Sequence, residues 1–374
     1  MRKYVLSTMR ALFVCSVAGA VAIAAGCSGD ERTGEAAAGS SGAAGGGAEP
    51  AGAVRVVTSF FPLYDFAKTI GGENADVVNM IPTGVEPHDW TPKSQDMVAV
   101  SRADLFVYQG GGFEGWTEDV LGGVDADSLV VVEASRGIEL MAASESGSEA
   151  AHAHEGESGE HADEAHADEA HTEDEAHADE AHGEGAHGEA EAHGEAAHDH
   201  GDTDPHTWLS PRSALVMAQN VLDGFKAADP ENAAVYEANF AKLKADLEAL
   251  DRKYAEQLGA ATNKEMVVSH QAFGYLARDY GLVQMPILGI ASDGEPTAQD
   301  LKAISEFVKE HGVKYIFTEE LVSNELAETL ANDLGVQTLP LHPLEGLTER
   351  EAQAGETYVS LMEKNLDALV SALK

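Results

Sequence analysis

The chain has 374 residues, of which 65 are acidic and 23 basic, and a formal net charge of −42. That balance excludes nucleic acid as a partner, because phosphate backbones are held by Lys and Arg, and it concentrates cations near the surface instead. With 44% hydrophobic residues the chain can still bury a core, as one large domain or two of ordinary size.

In chain order, Arg2, Lys3 and Arg10 come first as a basic region. The apolar stretch 11–26 follows and ends Ala24-Ala25-Gly26-Cys27. It is short of the roughly 20 apolar residues of a spanning helix and predicts a signal peptide over residues 1–26. The ending resembles the lipobox of bacterial lipoproteins, in which cleavage falls before a Cys that then carries lipid. Ala24 stands where Leu, Val or Ile is usual, and a plain secretory signal cleaved nearby is the alternative. The resemblance implies a lipid anchor at Cys27. Cys15 would leave with the signal, so Cys27 would be the only Cys of the mature chain. Neither a disulfide within the chain nor a thiolate metal site is then expected. Residues 27–53, rich in Gly, Ala, Ser and Glu, predict a flexible tether.

From residue 54 the pattern becomes that of an ordered α/β chain. Strands are predicted at 54–58, 75–81, 104–109 and 129–133, and helices at 62–72 and 92–103, with a short one after Trp116. Strands alternating with helices imply parallel βαβ units. A loop with Pro82, Gly84 and Pro87 carries His88.

Residues 143–206 hold twelve of the sixteen histidines, and no Lys or Arg occurs between Arg136 and Arg212. His152, His154, His161, His166, His171, His177, His182, His187, His193, His198 and His200 are interleaved with Glu and Asp, 21 acidic residues falling within 144–204. Charge repulsion and the lack of large apolar side chains predict a disordered insertion over 143–203. Its imidazoles and carboxylates suit loose, low-affinity binding of divalent cations. A solvated acidic spacer is the plainer reading, and the regular histidines argue against it.

Ordered sequence resumes at Asp204-Pro205-His206-Thr207-Trp208. Residues 211–228 predict a helix. In the next helix, Tyr236, Phe240, Leu243, Leu247, Leu250, Tyr254 and Leu258 follow at steps of four and three and form one apolar stripe. Residues 231–259 would span about 43 Å, which suits a strut between two lobes. A second alternating set follows, with strands at 266–269, 285–289, 313–318 and 336–339 and helices at 271–280, 297–311 and 324–334. One further helix runs from 349 to the end. The expected fold class is therefore α/β, with two lobes of parallel sheet and flanking helices joined by one long rigid helix. The expected boundaries are 54–229, 230–260 and 261–374.

Outside the insertion, His88, His206, His270 and His342 are candidate ordered imidazole ligands. His311, beside Gly312 at a helix end, reads as structural, since a cationic His meets the helix dipole favourably there. His88, His206 and His270 stand in loops or at strand ends, near Trp90, Trp208 and Phe273. Ligands of open α/β sheets bind at the carboxyl ends of strands, so these three can converge in a cleft between lobes. A single His beside an aromatic is more often merely packed or hydrogen-bonded.

Five motifs sharpen this reading. Gly84-Val-Glu-Pro-His88-Asp-Trp90, Ala103-Asp-Leu-Phe-Val-Tyr-Gln-Gly110, Gly112-Phe-Glu-Gly-Trp116, Asp204-Pro-His206-Thr-Trp208 and Ser269-His270-Gln-Ala-Phe273-Gly-Tyr275 occur in this order. From Val54 to Lys374 the chain resembles the metal-binding solute receptors of ABC transporters, specifically the zinc-uptake branch, in which an acidic His-rich insertion before Asp-Pro-His is also typical. The resemblance implies one metal ion between two lobes, with His88, His206 and His270 as ligands. It implies a fourth ligand from the loop after the last strand, where Glu345 is the choice and His342 the neighbouring competitor. Some such receptors use water there, with a Glu two residues before the first His, which would be Glu86.

Three imidazoles and a carboxylate match a four-coordinate zinc site, whereas manganese prefers more oxygen. A hydrolytic zinc would need an open position and a general base, and no His-Glu-x-x-His occurs. The resemblance thus implies a non-enzymatic receptor. It would be monomeric, held to the membrane by lipid, and would pass Zn²⁺ to an ABC permease and its ATPase. The rival readings are a manganese or iron receptor of the same kind, a surface zinc hydrolase, and a His-rich metal buffer or adhesin.

Overall fold

Two parallel four-stranded sheets frame the molecule. The computed structural model describes residues 52–88, 90–124, 128–146, 203–292 and 294–374, and the expected signal peptide, the anchor Cys27 and the insertion histidines from His152 to His200 lie outside these residues. The described residues belong to one compact unit, Glu49–Lys374.

The first sheet holds β1 (Val54–Thr58), β2 (Ala75–Asn79), β3 (Leu105–Tyr108) and β4 (Val130–Glu133) in the order β2-β1-β3-β4. The second holds β5 (Glu265–Val268), β6 (Val283–Pro286), β7 (Tyr315–Thr318) and β8 (Gln337–Pro340) in the equivalent order β6-β5-β7-β8. Every pairing is parallel. The central strands are short, β-rich and apolar, as suits strands covered on both faces. Val56, Val57, Leu105, Phe106, Met266, Val267 and Ile316 are all buried. In each sheet the strand order reverses between the first strand and the third, and such a switch point opens a crevice at the carboxyl ends.

The helices are α1 (Phe61–Gly71), α2 (Ser94–Arg102), α3 (Thr117–Gly122), α4 (Ala143–Ser146), α5 (Pro211–Ala228), α6 (Ala233–Gly259), α7 (Gly274–Tyr280), α8 (Ala298–His311), α9 (Glu325–Leu334), α10 (Glu349–Ala354) and α11 (Tyr358–Ala372). The 27 residues of α6 make a rod about 40 Å long. Its stripe from Tyr236 to Leu258 is buried at every expected position. It packs on α1 and α5 in the first lobe and on α11 in the second. A single apolar core therefore runs from Val54 through α6 to Leu373. A smaller core, with Ile304, Phe307, Ile316 and Leu330, lies where α8 and α9 cover the second sheet.

Three expectations are corrected. The helix expected over 271–280 begins only at Gly274, because the Gln271 N–H donates to Gly289 O and the Phe273 N–H to Gln284 Oε1. The strand expected at 285–289 is in register with β5 from Val283 to Pro286, since α7 closes on the left-handed Gly281 directly before it. The last helix is two helices. Gly355, at φ 70°, ends α10, and the Thr357 side chain accepts the Ser360 N–H to start α11.

Candidate metal centre

His88 follows β2, His270 lies two residues beyond β5, and Glu345 stands in the loop after β8. His206 opens the short 3-10 turn Thr207–Leu209 ahead of α5. It is reached three residues after Thr203, which bridges Ala142 at the base of the insertion. Local chemistry explains why these segments are loops. Pro82, Pro87 and Pro205 cannot donate to a ladder.

The four side chains meet in a buried pocket. His206 and His270 are 0% exposed, Glu345 1% and His88 5%, and one ligand atom of each lies within 4.8 Å of the others. Glu345 Oε1 lies 3.4 Å from His88 Nε2, 3.3 Å from His206 Nε2 and 3.3 Å from His270 Nε2. A tetrahedral ion with bonds of about 2.0–2.1 Å spaces its ligands about 3.3–3.4 Å apart. Three edges of such a tetrahedron are thus laid out around one carboxylate oxygen. Among the described residues, the Nε2 atoms of His206 and His270 have no hydrogen-bond partner. A buried nitrogen aimed at a common point without a donor is what a metal ligand requires.

The far side of each of these two rings is engaged. His206 Nδ1 lies 2.8 Å from Asp204 Oδ1, which also accepts the His206 N–H. His270 Nδ1 lies 2.8 Å from both oxygens of Glu319. A carboxylate accepts, so Nδ1 is the nitrogen that donates outward and Nε2 is the one turned inward, free to offer a lone pair once it gives up any proton. The ring of His88 packs edge-on against Phe113, and the main-chain N–H of His88 donates to Glu86 Oε1.

The electrostatics of these protein groups by themselves follow from this crowding. Burial would raise the Glu345 carboxyl, but His88 and His270, and the close approach of the His206 and His270 rings, hold it well below the usual range. Burial would lower the His270 imidazole, but Glu319 and Glu345 lift it well above its ordinary value. His206 is raised against the same burial by Asp204 and Glu345. Glu86 is pushed up to about 8 by burial and by Glu345. The two acids thus separate, Glu345 holding its charge while Glu86 keeps its proton.

His342 faces elsewhere. Its Nδ1 accepts the Leu344 N–H at 2.9 Å, and its Nε2 lies 3.5 Å from Glu351 Oε2. His311 ends α8 and lies 3.7 Å from Glu265 Oε1. Trp90 stacks edge-on against Trp116. In the sequence Asp204 is marked only as part of a motif, and Glu319 belongs to none of the five motifs. Glu319 was findable as the acid directly after the strand Tyr315–Thr318, beside the strand that ends before His270.

Two parallel α/β lobes that share one long helix, with four buried groups converging between them, define a two-lobed binding protein with an ion-sized polar site. The chain belongs to the ZnuA family, the zinc-uptake complex component A periplasmic, which it matches over residues 56–372. The zinc-binding protein AdcA of Streptococcus pyogenes serotype M3 is 37% identical over 318 residues, 85% of this chain and 56% of that protein. The chain therefore spans little more than half the length of these streptococcal relatives. The high-affinity zinc uptake system protein ZnuA of Bacillus subtilis is 37% identical over 320 residues, 86% of this chain and 88% of that protein. The crystal structure of the Zn(II)-bound ZnuA-like domain of Streptococcus pneumoniae AdcA superposes with a TM-score of 0.64 at 33% identity, covering 86% of this chain and 99% of that one.

Proposed function

We propose that this chain is an extracytoplasmic zinc receptor that captures Zn²⁺ between its lobes and hands it to an ABC permease and its ATPase. One observation carries the reading: Glu345 Oε1 lies at tetrahedral edge distance from three imidazole nitrogens in a pocket closed to solvent. His88, His206, His270 and Glu345 are the proposed ligands, with Asp204 and Glu319 orienting two of the rings. Four protein ligands fill a tetrahedral zinc site and leave no position for a water nucleophile, which supports binding rather than catalysis. The nitrogen-rich donor set favours zinc over manganese.

Cys27 is the proposed lipid anchor, residues 27–53 the tether, and the receptor a monomer. The histidines of the insertion are proposed as several weak cation sites. Calorimetric titration of the full chain and of a chain lacking residues 144–201 tests this. The expected result is one tight Zn²⁺ per chain in both, with further weak binding only in the full chain, and no displacement of Zn²⁺ by excess Mn²⁺. Loss of the tight site with the insertion would transfer the function to the insertion.

A further inference from the structure

The segment that presents His206 is gripped from both lobes at consecutive carbonyls. From α7 in the second lobe, Tyr275 Oη donates to Asp204 O at 2.7 Å. From the end of β3 in the first lobe, Gln109 Nε2 donates to Pro205 O at 3.0 Å and to Thr207 Oγ1 at 2.7 Å. The contacts of Gln109 thus fall on either side of His206. Both gripping side chains are fully buried, and neither is among the four converging residues.

Each grip is itself anchored. The N–H groups of Gln109 and Gly110 donate to the two oxygens of the buried Glu114, at 2.7 and 3.0 Å. The left-handed turn at Gly110, φ 81°, curls the chain around that carboxylate. On the other side, the Tyr275 oxygen accepts the Met141 N–H at 2.9 Å.

We infer that Gln109 and Tyr275 are positioning residues for the metal site: together they set where His206 stands between the lobes, and so the 3.3 Å edge it shares with Glu345. The inference rests on the zinc-receptor reading. Its physical basis is tolerance. A ligand set works only when held to about 0.5 Å, and His206 sits on a loop whose neighbouring carbonyls are each claimed by a different lobe. Asp204 orients the ring through Nδ1; the two grips bear on the position of the main chain that carries it.

The test compares wild type with Tyr275→Phe and Gln109→Leu, using Zn²⁺ in competition with a chelator and Co²⁺ as a spectroscopic probe of tetrahedral geometry. Each variant should bind Zn²⁺ at least ~10-fold more weakly, the lower end of the loss seen when outer contacts of a metal site are removed. Its visible Co²⁺ bands should shift or lose intensity, while far-ultraviolet circular dichroism stays that of wild type. A folded variant of either kind with wild-type affinity and a wild-type cobalt spectrum overturns the inference. If Gln109→Leu does not fold, Thr207→Val, which removes one of its acceptors, takes its place under the same criterion. A wild-type chain that shows no tight 1:1 zinc binding would instead defeat the receptor reading itself, so the two failures are told apart.

Discussion

Both carboxylate oxygens of Glu319 lie 2.8 Å from Nδ1 of His270. The pair is a product of sheet topology. β5 and β7 are neighbours in the second sheet, so residues just past their ends are brought side by side although 49 positions apart. Glu319→Gln keeps the volume and one acceptor but removes the charge that makes His270 a better donor to a cation. Zinc affinity is expected to fall ~10-fold, read by chelator competition. An affinity within about twofold of wild type would count against an orienting role of this size.

Zinc binding should release protons even near neutral pH. His270 and His206 are raised in the metal-free pocket, yet a ligand must present a free lone pair. The raised imidazoles stabilise the metal-free fold below their ordinary value of 6.5, and that contribution is lost as pH rises through their folded values. Glu345, held low, contributes above its ordinary 4.5 and loses this as pH falls through its folded value. The melting temperature gained on adding zinc should therefore grow from about pH 5.5 to about pH 8. Calorimetry in buffers of different ionisation enthalpy should count protons released on binding. A heat independent of buffer at pH 7 would refute the assignment of charge.

Asp65 sits on α1, and its Oδ2 accepts the Tyr358 N–H at the start of α11, across the lobes, at 3.1 Å. Burial pushes its carboxyl from 3.8 up to about 6, against the pull of that hydrogen bond. The neutral form is thus favoured in the folded chain, a contribution that is full below pH 3.8 and lost as pH rises through about 6. Asp65→Asn keeps the acceptor and removes the titration. It should stabilise the metal-free chain at pH 7 by about 1–3 kcal/mol, with the gain fading towards pH 4. Urea unfolding at the two pH values decides it.

Gly224 lets α5 lie directly on the first sheet. A Cβ there would stand 2.6 Å from Val132 Cγ2 and 3.0 Å from Leu105 Cδ1. Gly224→Ala should cost about 1–3 kcal/mol through overpacking, despite the better helix propensity of Ala. Because α5 starts five residues after His206, the variant tests how far the site depends on this packing. Thermal unfolding should fall in both the metal-free and the zinc-loaded chain.

The division between what could be read and what could not follows the range of the forces involved. The alternation of strands and helices, the stripe from Tyr236 to Leu258 on one face of α6, and the gathering of His88, His206 and His270 near strand ends were legible in the sequence. Each depends on periodicity, turn residues and motif order along a short stretch of chain. The family resemblance pointed to Glu345 over Glu86 and His342, but periodicity and spacing alone do not make that choice, because it depends on which side chains meet after the lobes close. His88 and Glu345 are 257 positions apart and 3.4 Å apart in space. Glu86 is only two residues from His88, yet its contact is with that residue's main chain. His342 is three residues from Glu345, yet its ring turns to Leu344 and Glu351. The amino-acid order by itself determined the elements and the supply of candidate ligands. Only the tertiary structure decided which carboxylate enters the pocket and which ones stand behind the rings, because those contacts are made by the packing of distant surfaces.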